Sequence, residues 1–296
     1  MTINNMFTKL GQNFLTDDSV AKQIVDSANL SPRDNVLEIG PGKGILTKYL
    51  ARHAGRVLAV EVDRDLAESL QPVIARSAAT KQSRTETGNT GLLRPPAMLR
   101  KAMRAGFARN DKLTVVKGDI LKINLPKLVE RENFKNYKVV ANLPYYITSK
   151  IIRLLLETKY PPAEMILTVQ KEVGERICAK NGQESILSIS VKFYAEPKIL
   201  FYVPKENFEP VPEVDSVVIK IKRKKSIPNV DVKKFFSLVR SGFSSKRKML
   251  ANNLSSSFRI PKAELWEWMK KARLGRGVRA EKLGVEDWVR LYRFIL

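Results

Sequence analysis

Short apolar runs rich in Val, Ile and Leu alternate with amphipathic segments through residues 17–170. Five runs are typical of buried strands: residues 35–39, 56–63, 113–121, 138–148 and 163–170. Helical periodicity predicts helices between them, at residues 17–29, 45–54, 64–75 and 149–158. Because a parallel strand connection needs a crossover segment, this alternation predicts a mostly parallel sheet with helices on both faces.

The pattern changes after residue 188. Residues 188–203 and 216–223 are predicted as strands with no helix between them, which favours an antiparallel pair at the sheet edge. Four helices are predicted beyond residue 227, at residues 231–245, 246–256, 261–274 and 284–296. We therefore expect an α/β domain over residues 1–226 and a small all-α domain over residues 227–296.

Residues 76–109 fit neither predicted domain. The segment is rich in Ser, Thr, Arg and Gly, contains Pro95 and Pro96, and has one aromatic residue. Such a composition buries too little apolar area to offset the conformational entropy lost on ordering. The sequence therefore predicts a mobile surface insertion here.

Composition excludes several classes of protein. The chain has 296 residues, of which 44% are hydrophobic as in folded globular proteins, and no apolar run approaches the roughly 18 residues of a membrane span. One cysteine, Cys178, and one histidine, His53, argue against an internal disulfide, a Cys-rich or His-ligated metal site and a Ser-His-Asp hydrolase. The N-terminus also lacks the features of a secretory signal, so we expect a cytoplasmic protein.

The formal net charge of +23 is unevenly distributed. The excess of Lys and Arg lies in residues 76–109, 220–226 and 227–296, and the rest of the chain is nearly neutral. Clustering of this kind predicts a face that binds a polyanion. An evenly solvated basic surface is the alternative interpretation.

A glycine-rich turn follows the first predicted strand, with Gly40, Gly42 and Gly44 in a Gly-x-Gly-x-Gly spacing. Glycine permits a positive φ and close approach of a ligand, although a plain structural turn would also explain the spacing. The next two strands end near Glu61 and Asp119, at the edge where open α/β sheets bind ligands. Glu61 could accept hydrogen bonds from both hydroxyls of a ribose, and Asp119 could accept one from the exocyclic amine of adenine.

The fourth predicted strand ends in Asn142, Leu143, Pro144 and Tyr145. The N6 amine of adenine is a poor nucleophile, because its lone pair is delocalised into the ring. Two neutral acceptors, Asn142 Oδ1 and the Leu143 carbonyl, could accept hydrogen bonds from both N–H groups. This would favour a pyramidal nitrogen and restore lone-pair density on it. Pro144 would stiffen the turn, and Tyr145 would stack on an extruded base. A strand-ending turn with core tyrosines is the alternative interpretation.

Eight motifs stand in the order of a known family: KLGQNFLTD at 9–17, EIGPGKGILT at 38–47, VEVDRDL at 60–66, GDIL at 118–121, NLPYYIT at 142–148, VQKEVGER at 169–176, NFEPVPEVDS at 207–216 and SGFSSKRKMLANNL at 241–254. Together they resemble the ribosomal RNA adenine N6,N6-dimethyltransferases, specifically the bacterial small-subunit group. The resemblance covers nearly the whole chain outside residues 76–109. It implies a Rossmann-like, class I S-adenosylmethionine-dependent methyltransferase fold.

The resemblance also assigns roles by matched position. It implies that S-adenosylmethionine is bound by Gln12, Asn13, Leu15, Gly40, Gly42, Glu61, Asp119, Ile120 and Asn142. Methyl groups would pass to N6 of two adjacent adenosines near the 3′ end of 16S rRNA in the 30S subunit. Phe208 resembles the second aromatic residue that sandwiches the flipped base. We expect a monomer that needs no metal for this reaction.

Basic residues of two segments are predicted to neutralise RNA phosphates: Lys222, Arg223, Lys224, Lys246, Arg247 and Lys248. They would position the RNA, while the pocket would select the base. The three tryptophans, Trp266, Trp268 and Trp288, are interpreted as helical core residues rather than stacking groups.

Two other interpretations stay open. A 23S rRNA adenine N6-methyltransferase of the macrolide-resistance type shares most motifs, although NLPY and residues 243–254 favour the small-subunit group. Other relatives of the fold are transcription factors or assembly chaperones, so the chain could be mainly a nucleic-acid-binding protein. The presence of Glu61, Asn142, Pro144 and Tyr145 argues against that second interpretation.

Overall fold

A computed structural model gives the fold and describes residues 12–70, 107–109, 112–179 and 182–296, with residues 107–109 described by their backbone. Most of the insertion predicted at residues 76–109 lies outside the described residues, as does the start of the first motif. No helix within these ranges has the length and apolar character that a membrane span requires.

The strands of the described ranges belong to two sheets. They are β1 (Phe14–Leu15), β2 (Asn35–Ile39), β3 (Arg56–Glu61), β4 (Phe107–Arg109), β5 (Leu113–Lys117), β6 (Lys138–Asn142), β7 (Glu164–Gln170), β8 (Ala195–Val203), β9 (Phe208–Glu209) and β10 (Ser216–Arg223). The large sheet has the order β4-β5-β3-β2-β6-β7-β10-β8, and β1 pairs with β9 in a small antiparallel sheet. The pairs β2–β3, β2–β6, β3–β5 and β6–β7 are parallel, whereas β4–β5 is antiparallel. The predicted Rossmann-like α/β class with an antiparallel edge is confirmed.

Helices connect most of these strands and dominate the C-terminal region. They are α1 (Asp18–Ser27), α2 (Thr47–His53), α3 (Arg64–Ser69), α4 (Leu125–Arg131), α5 (Thr148–Glu157), α6 (Lys171–Ile177), α7 (Ile186–Tyr194), α8 (Val232–Gly242), α9 (Leu250–Phe258), α10 (Lys262–Lys271) and α11 (Val285–Ile295). The carboxylates of Asp17 and Asp63 accept hydrogen bonds from main-chain N–H groups in the first turns of α1 and α3. These caps explain why both helices begin where the sequence predicts.

A hydrophobic core holds the strand ends in place. Ile24 of α1 and Leu50 of α2 pack in one cluster with Val36, Val57 and Val140 of the sheet, and all five are buried. Burying a side chain of this size stabilises a fold by about 1.5–3 kcal/mol. The loops that follow the parallel strands therefore start from a rigid edge.

The strand predicted over residues 188–203 is wrong in its first half. Ile186–Tyr194 forms α7, and β8 starts at Ala195. Ser185 and Ser188 form a capping box that starts the helix, and Phe193 packs against the phenylalanines of α8 at a ring distance of 4.8 Å from Phe235. A short helix with buried residues all round has no clear helical periodicity, so its apolar run resembles a strand.

The ends of β6 and β5 also differ from the prediction, and one strand was not predicted. β6 ends at Asn142 rather than residue 148, because Pro144 cannot donate to the ladder, and a 3₁₀ turn (Tyr145–Ile147) follows. β5 likewise ends at Lys117, before the turn that holds Asp119. Residues 107–109, predicted as the end of the insertion, instead form β4 and pair with β5.

Two compact units can be distinguished by their internal contacts. The first contains the described residues up to Lys171 together with Leu200–Lys220, and the second contains Glu172–Ile199 and Ile221–Leu296. Residues 172–199, which the sequence assigned to the α/β domain, thus group with the C-terminal helices. The predicted domain boundary at residue 226 stays a prediction.

Candidate active site

The glycine turn after β2 adopts the backbone conformation that its sequence suggested. Gly40, Gly42 and Gly44 have φ values of +67°, +55° and +81°. A Cβ added at Gly42 would lie 2.9 Å from the ring of Phe14, whereas a Cβ at Gly40 would meet nothing within 4 Å. The backbone at Gly40 therefore borders open space that a ligand could occupy.

Glu61, at the end of β3, is fully buried and oriented by the main chain. Its Oε2 accepts a hydrogen bond from the Gly42 N–H at 3.0 Å, and its Oε1 accepts one from the Asp63 N–H at 3.0 Å. Burial raises the pKa of Glu61 above its ordinary value, while the hydrogen bonds oppose that rise. Each oxygen keeps acceptor capacity for a further hydroxyl donor.

A second buried carboxyl group, Glu38 of β2, interacts electrostatically with Glu61 and was not singled out from the sequence. Burial, with a smaller contribution from the charge of Glu61, raises the pKa of Glu38 to about 8. Its Oε2 has no hydrogen-bond partner among the described residues. A charged residue inside the apolar run VLEI was the available signal.

A cavity of about 280 Å³ lies at the ends of β2, β3 and β5. Five of the predicted cofactor residues line this cavity: Gln12, Gly40, Glu61, Asp119 and Ile120. Four do not line it: Asn13, Leu15, Gly42 and Asn142. Gly42 contacts the first group, because its N–H donates to Glu61.

Asp119 occupies the turn after β5, where the sequence expected it. Its Oδ1 accepts a hydrogen bond from the Leu121 N–H at 2.9 Å, and its Oδ2 lies 3.8 Å from Lys122 Nζ. The side chain remains 31% exposed. Asp119 thus stabilises its own turn and still presents a carboxylate oxygen at the cavity.

Hydrogen bonds of Asn142 and of its partner Asn13 join three segments that are distant in sequence. Its Nδ2 donates a hydrogen bond to the Asn13 carbonyl at 3.0 Å, and Asn13 Nδ2 donates to the Pro210 carbonyl at 2.7 Å. The Leu143 N–H donates to the Thr168 carbonyl at 3.2 Å. Asn142 Oδ1 accepts no hydrogen bond within the described part of the chain, so it can accept one from a substrate.

The two tyrosines after Pro144 have different surroundings. Tyr145 is half-buried and its hydroxyl lies 2.7 Å from Ser216 Oγ, whereas Tyr146 is 61% exposed and lines the cavity. Burial raises the pKa of Tyr145, so its hydroxyl stays protonated in neutral solution. Adjacent tyrosines carry no signal in the sequence that would distinguish these two environments.

Phe208 does not line the cavity. It is 2% exposed and packs in the same core cluster as Leu15, its partner in the β1–β9 pair. A stacking role for Phe208 would require β9 to move, and that role stays a prediction. The described structure brings Asn142, Leu143, Pro144 and Tyr145 together in one turn but leaves Phe208 in the core.

Comparison with known proteins places these features in a family. The family model described as "Ribosomal RNA adenine dimethylase" matches residues 3–82 and 97–296, and the gap between these ranges falls inside the predicted insertion. The chain belongs to the ribosomal RNA adenine dimethylase family. The predicted enzyme class, methyl transfer to adenine of ribosomal RNA, is thereby confirmed.

Relatives in this family are similar over nearly their whole length. "Ribosomal RNA small subunit methyltransferase A" of Lactococcus lactis subsp. lactis is 37% identical over 97% of this chain and 89% of its own. The Fusobacterium nucleatum protein of the same name is 35% identical over 96% of both chains. The crystal structures of the 23S rRNA methyltransferase ErmE and of a Plasmodium falciparum dimethyladenosine transferase are each 24% identical. The ErmE structure covers 96% of this chain and 99% of its own, with a TM-score of 0.68. The Plasmodium falciparum structure covers 94% of this chain and 95% of its own, with a TM-score of 0.67. Both show the shared fold.

The basic residues predicted for this family member have two kinds of environment. Lys222, Lys246, Arg247 and Lys248 are exposed. Arg223 and Lys224 are half-buried: the Arg223 guanidinium lies 5.8 Å from the ring centre of Tyr194, and Lys224 Nζ donates to the Lys192 carbonyl. Burial also lowers the pKa of Arg223. The loop at residues 246–248 is therefore the more accessible of the two basic segments.

A buried amide supports that loop. Asn253 of α9 is 3% exposed, and its Nδ2 donates to the Gly242 carbonyl at 2.6 Å and to the Ser245 carbonyl at 3.0 Å. The loop at residues 246–248 thus begins from a fixed point on the second unit.

The three tryptophans differ in burial. Trp288 is fully buried, as predicted, whereas Trp266 and Trp268 are half-buried.

Proposed function

We propose that this family member dimethylates N6 of two adjacent adenosines near the 3′ end of 16S rRNA, within the 30S subunit. The relatives of highest identity reported above carry the name "small subunit methyltransferase A", which supports the small subunit as the target. The ErmE similarity does not favour the large subunit, because at 24% identity it supports the fold alone. We also propose that the chain acts as a monomer in the cytoplasm.

The cavity residues fit S-adenosylmethionine. The buried Glu61 carboxylate can accept the two ribose hydroxyls, Asp119 can accept the adenine amine, and the backbone at Gly40 leaves space for close approach. Gln12 and Ile120 would complete the contact, with Asn13, Leu15 and Gly42 fixing the surrounding main chain. Bound there, the sulfonium group would supply an electrophilic methyl carbon.

The single observation that carries the proposal is that Asn142 Oδ1 accepts no hydrogen bond from the residues that the structure describes. Because Asn142 Nδ2 is held by the Asn13 carbonyl, the amide cannot rotate freely, and its oxygen is a fixed, neutral acceptor. With the Leu143 carbonyl it would hold both protons of an adenine N6. Methyl transfer there would form a bond from the N6 lone pair to the methyl carbon as the carbon–sulfur bond breaks, and an N6 proton would leave to water. Pro144 keeps the Leu143 carbonyl in place, and Tyr145 would stack on the base.

Exposed Lys246, Arg247 and Lys248 would contact phosphates and position the RNA without reading its sequence. Lys222 could add a further phosphate contact. Arg223 and Lys224 contribute less in this proposal, because each already contacts protein groups.

Labelled-methyl transfer to unmethylated 30S subunits tests the proposal. We expect label on two adjacent adenosines near the 3′ end of 16S rRNA, mapped by primer extension, and none on 23S rRNA in a parallel reaction with 50S subunits. Label on 23S rRNA would instead support the macrolide-resistance type. No transfer to either subunit would favour a mainly binding role.

A further inference from the structure

The Tyr145 hydroxyl and Ser216 Oγ form a hydrogen bond of 2.7 Å. Ser216 is the first residue of β10 and is fully buried, whereas Tyr145 is half-buried in the turn after β6. In the sheet, β7 lies between β6 and β10. The hydrogen bond therefore ties the turn after one strand to the start of another strand two positions away.

The start of β10 is itself held in place. The carbonyl of Asp215, the preceding residue, accepts a hydrogen bond from the Lys171 N–H at 3.0 Å. The Asp215 carboxylate accepts one from the Lys205 N–H at 3.2 Å. Ser216 thus offers Tyr145 a partner on a strand whose first residues are fixed to two other segments.

We propose that Ser216 is a positioning residue that fixes the ring of Tyr145 in the plane needed to stack on the target adenine. The inference rests on the proposed function, because it presupposes that Tyr145 meets the base. A tyrosine ring held only at Cβ can rotate about χ1 and χ2. A hydrogen bond at the hydroxyl restricts rotation about χ1, because that rotation moves the oxygen. It also favours one χ2, because the hydrogen and lone pairs of a phenol prefer the plane of the ring. The hydroxyl is not required for stacking, since a phenylalanine ring offers the same face. Its role is therefore to fix the ring orientation.

A double-mutant cycle tests this role. Ser216→Ala and Tyr145→Phe each remove one partner, and each is expected to lower kcat for 30S methylation by about three- to tenfold. Affinity for S-adenosylhomocysteine should stay unchanged in both variants. The double variant should be no slower than the slower single variant, because both changes break the same hydrogen bond. Additive losses, or full kcat in Ser216→Ala, would overturn the inference.

Ser188→Ala is the matched control for loss of a buried serine hydroxyl. Ser188 is also fully buried and its hydroxyl donates to Glu184, but it lies in the second unit. Ser188→Ala should lower the thermal midpoint as Ser216→Ala does, yet it should keep wild-type kcat. A comparable loss of kcat in this control would show that Ser216→Ala lowers kcat through general destabilisation, and it would overturn the positioning role.

A measurement that does not depend on activity separates the two proposals. In protein labelled with 3-fluorotyrosine, the ¹⁹F resonance missing from Tyr145→Phe identifies Tyr145. We expect that resonance to shift and to narrow in Ser216→Ala, as the ring becomes mobile, and to stay unchanged in Ser188→Ala. An inactive wild-type enzyme whose resonance responds this way would refute the proposed function and leave the positioning role of Ser216 intact. An active enzyme whose Tyr145 resonance does not respond to Ser216→Ala would refute the positioning role of Ser216 alone.

Discussion

Asn142 Nδ2 donates a hydrogen bond to the main-chain carbonyl of Asn13 across a separation of 129 residues. The same Asn13 donates through its side chain to the Pro210 carbonyl. One amide thus links the segment proposed to contact the cofactor with the segment that carries Phe208. The orientation of Asn142 consequently depends on the position of β1, which lies against the glycine turn at Gly42.

Glu61→Gln should weaken cofactor binding. The carboxylate accepts hydrogen bonds from two main-chain N–H groups and would also accept them from the ribose hydroxyls. The amide of glutamine has only one acceptor oxygen, whereas the carboxylate has two. Hydrogen bonds to charged groups contribute about 1.5–3 kcal/mol, so we expect a rise of about tenfold or more in the Kd for S-adenosylhomocysteine. Isothermal titration calorimetry measures this change directly.

The matched control is Glu68→Gln, which removes a charge from an exposed ion pair with Arg64 in the neighbouring helix. Its affinity should equal that of the wild type. An unchanged Kd in Glu61→Gln would remove Glu61 from the cofactor site.

Gly42→Ala should destabilise the protein and displace β1. The residue has a φ of +55°, and the added methyl group would lie 2.9 Å from the Phe14 ring. We expect the free energy of unfolding, measured by urea denaturation, to fall by about 1–3 kcal/mol. Gly275→Ala is the control, because nothing lies within 4 Å of its Cβ position, and it should change stability by less than about 0.5 kcal/mol. Equal losses in both variants would contradict the predicted contact.

Glu38 should make the cofactor-free protein less stable as pH rises. Its folded-state pKa is raised from 4.5 to about 8 by burial, so the stability linked to its protonated form is fully present below about pH 4.5. That contribution is lost as pH rises through about 8. In Glu38→Gln the side chain cannot ionise, and this part of the decline should disappear.

Urea denaturation across that pH range provides the measurement, with Glu172→Gln as an exposed control. The control should follow the wild-type profile. A Glu38→Gln profile as steep as that of the wild type would show that another group is responsible for the decline.

Replacing Lys246, Arg247 and Lys248 with Gln should weaken RNA binding uniformly and reduce its salt dependence. Each phosphate contact releases counterions and adds about 0.7–0.9 to the slope of log K against log salt. We therefore expect the slope to fall by about two to three in filter-binding titrations with 16S rRNA. A triple Gln variant of exposed Lys22, Arg33 and Lys127 carries the same change in net charge and should keep the wild-type slope. Equal slopes in the two variants would contradict a specific role for residues 246–248.

Local patterns predicted the parts of the fold that depend on nearby residues. Apolar strands, capping aspartates and the glycine turn each have a short-range cause, and β2, α1 and the turn at Gly40 formed where expected. Residues 188–194 were assigned wrongly, because burial on all sides hides helical periodicity. The end of β6 was placed too late, although Pro144 itself marks where the ladder must stop.

The positions of Glu61, Asp119 and the Asn142 turn at strand ends could be predicted from the sequence, but the hydrogen bonds that support them could not. The Asn13–Asn142 and Tyr145–Ser216 hydrogen bonds join residues 129 and 71 positions apart, and no local pattern encodes such contacts. The burial of Phe208 likewise follows from pairing between β1 and β9. Motifs predict which side chains carry the chemistry, while tertiary packing decides which of them face the cavity.

Asn142 is proposed to hold the target amine through Oδ1, and the rate of methyl transfer by Asn142→Ala measures the contribution of that contact. Initial rates with labelled S-adenosylmethionine and unmethylated 30S subunits should fall by about a hundredfold or more, with the Kd for S-adenosylhomocysteine changed far less. Asn35→Ala serves as the control, because it removes a comparable amide-to-carbonyl hydrogen bond at the start of β2 and should keep the wild-type rate. An Asn142→Ala variant that methylates 30S subunits at the wild-type rate would show that Asn142 does not hold the target amine.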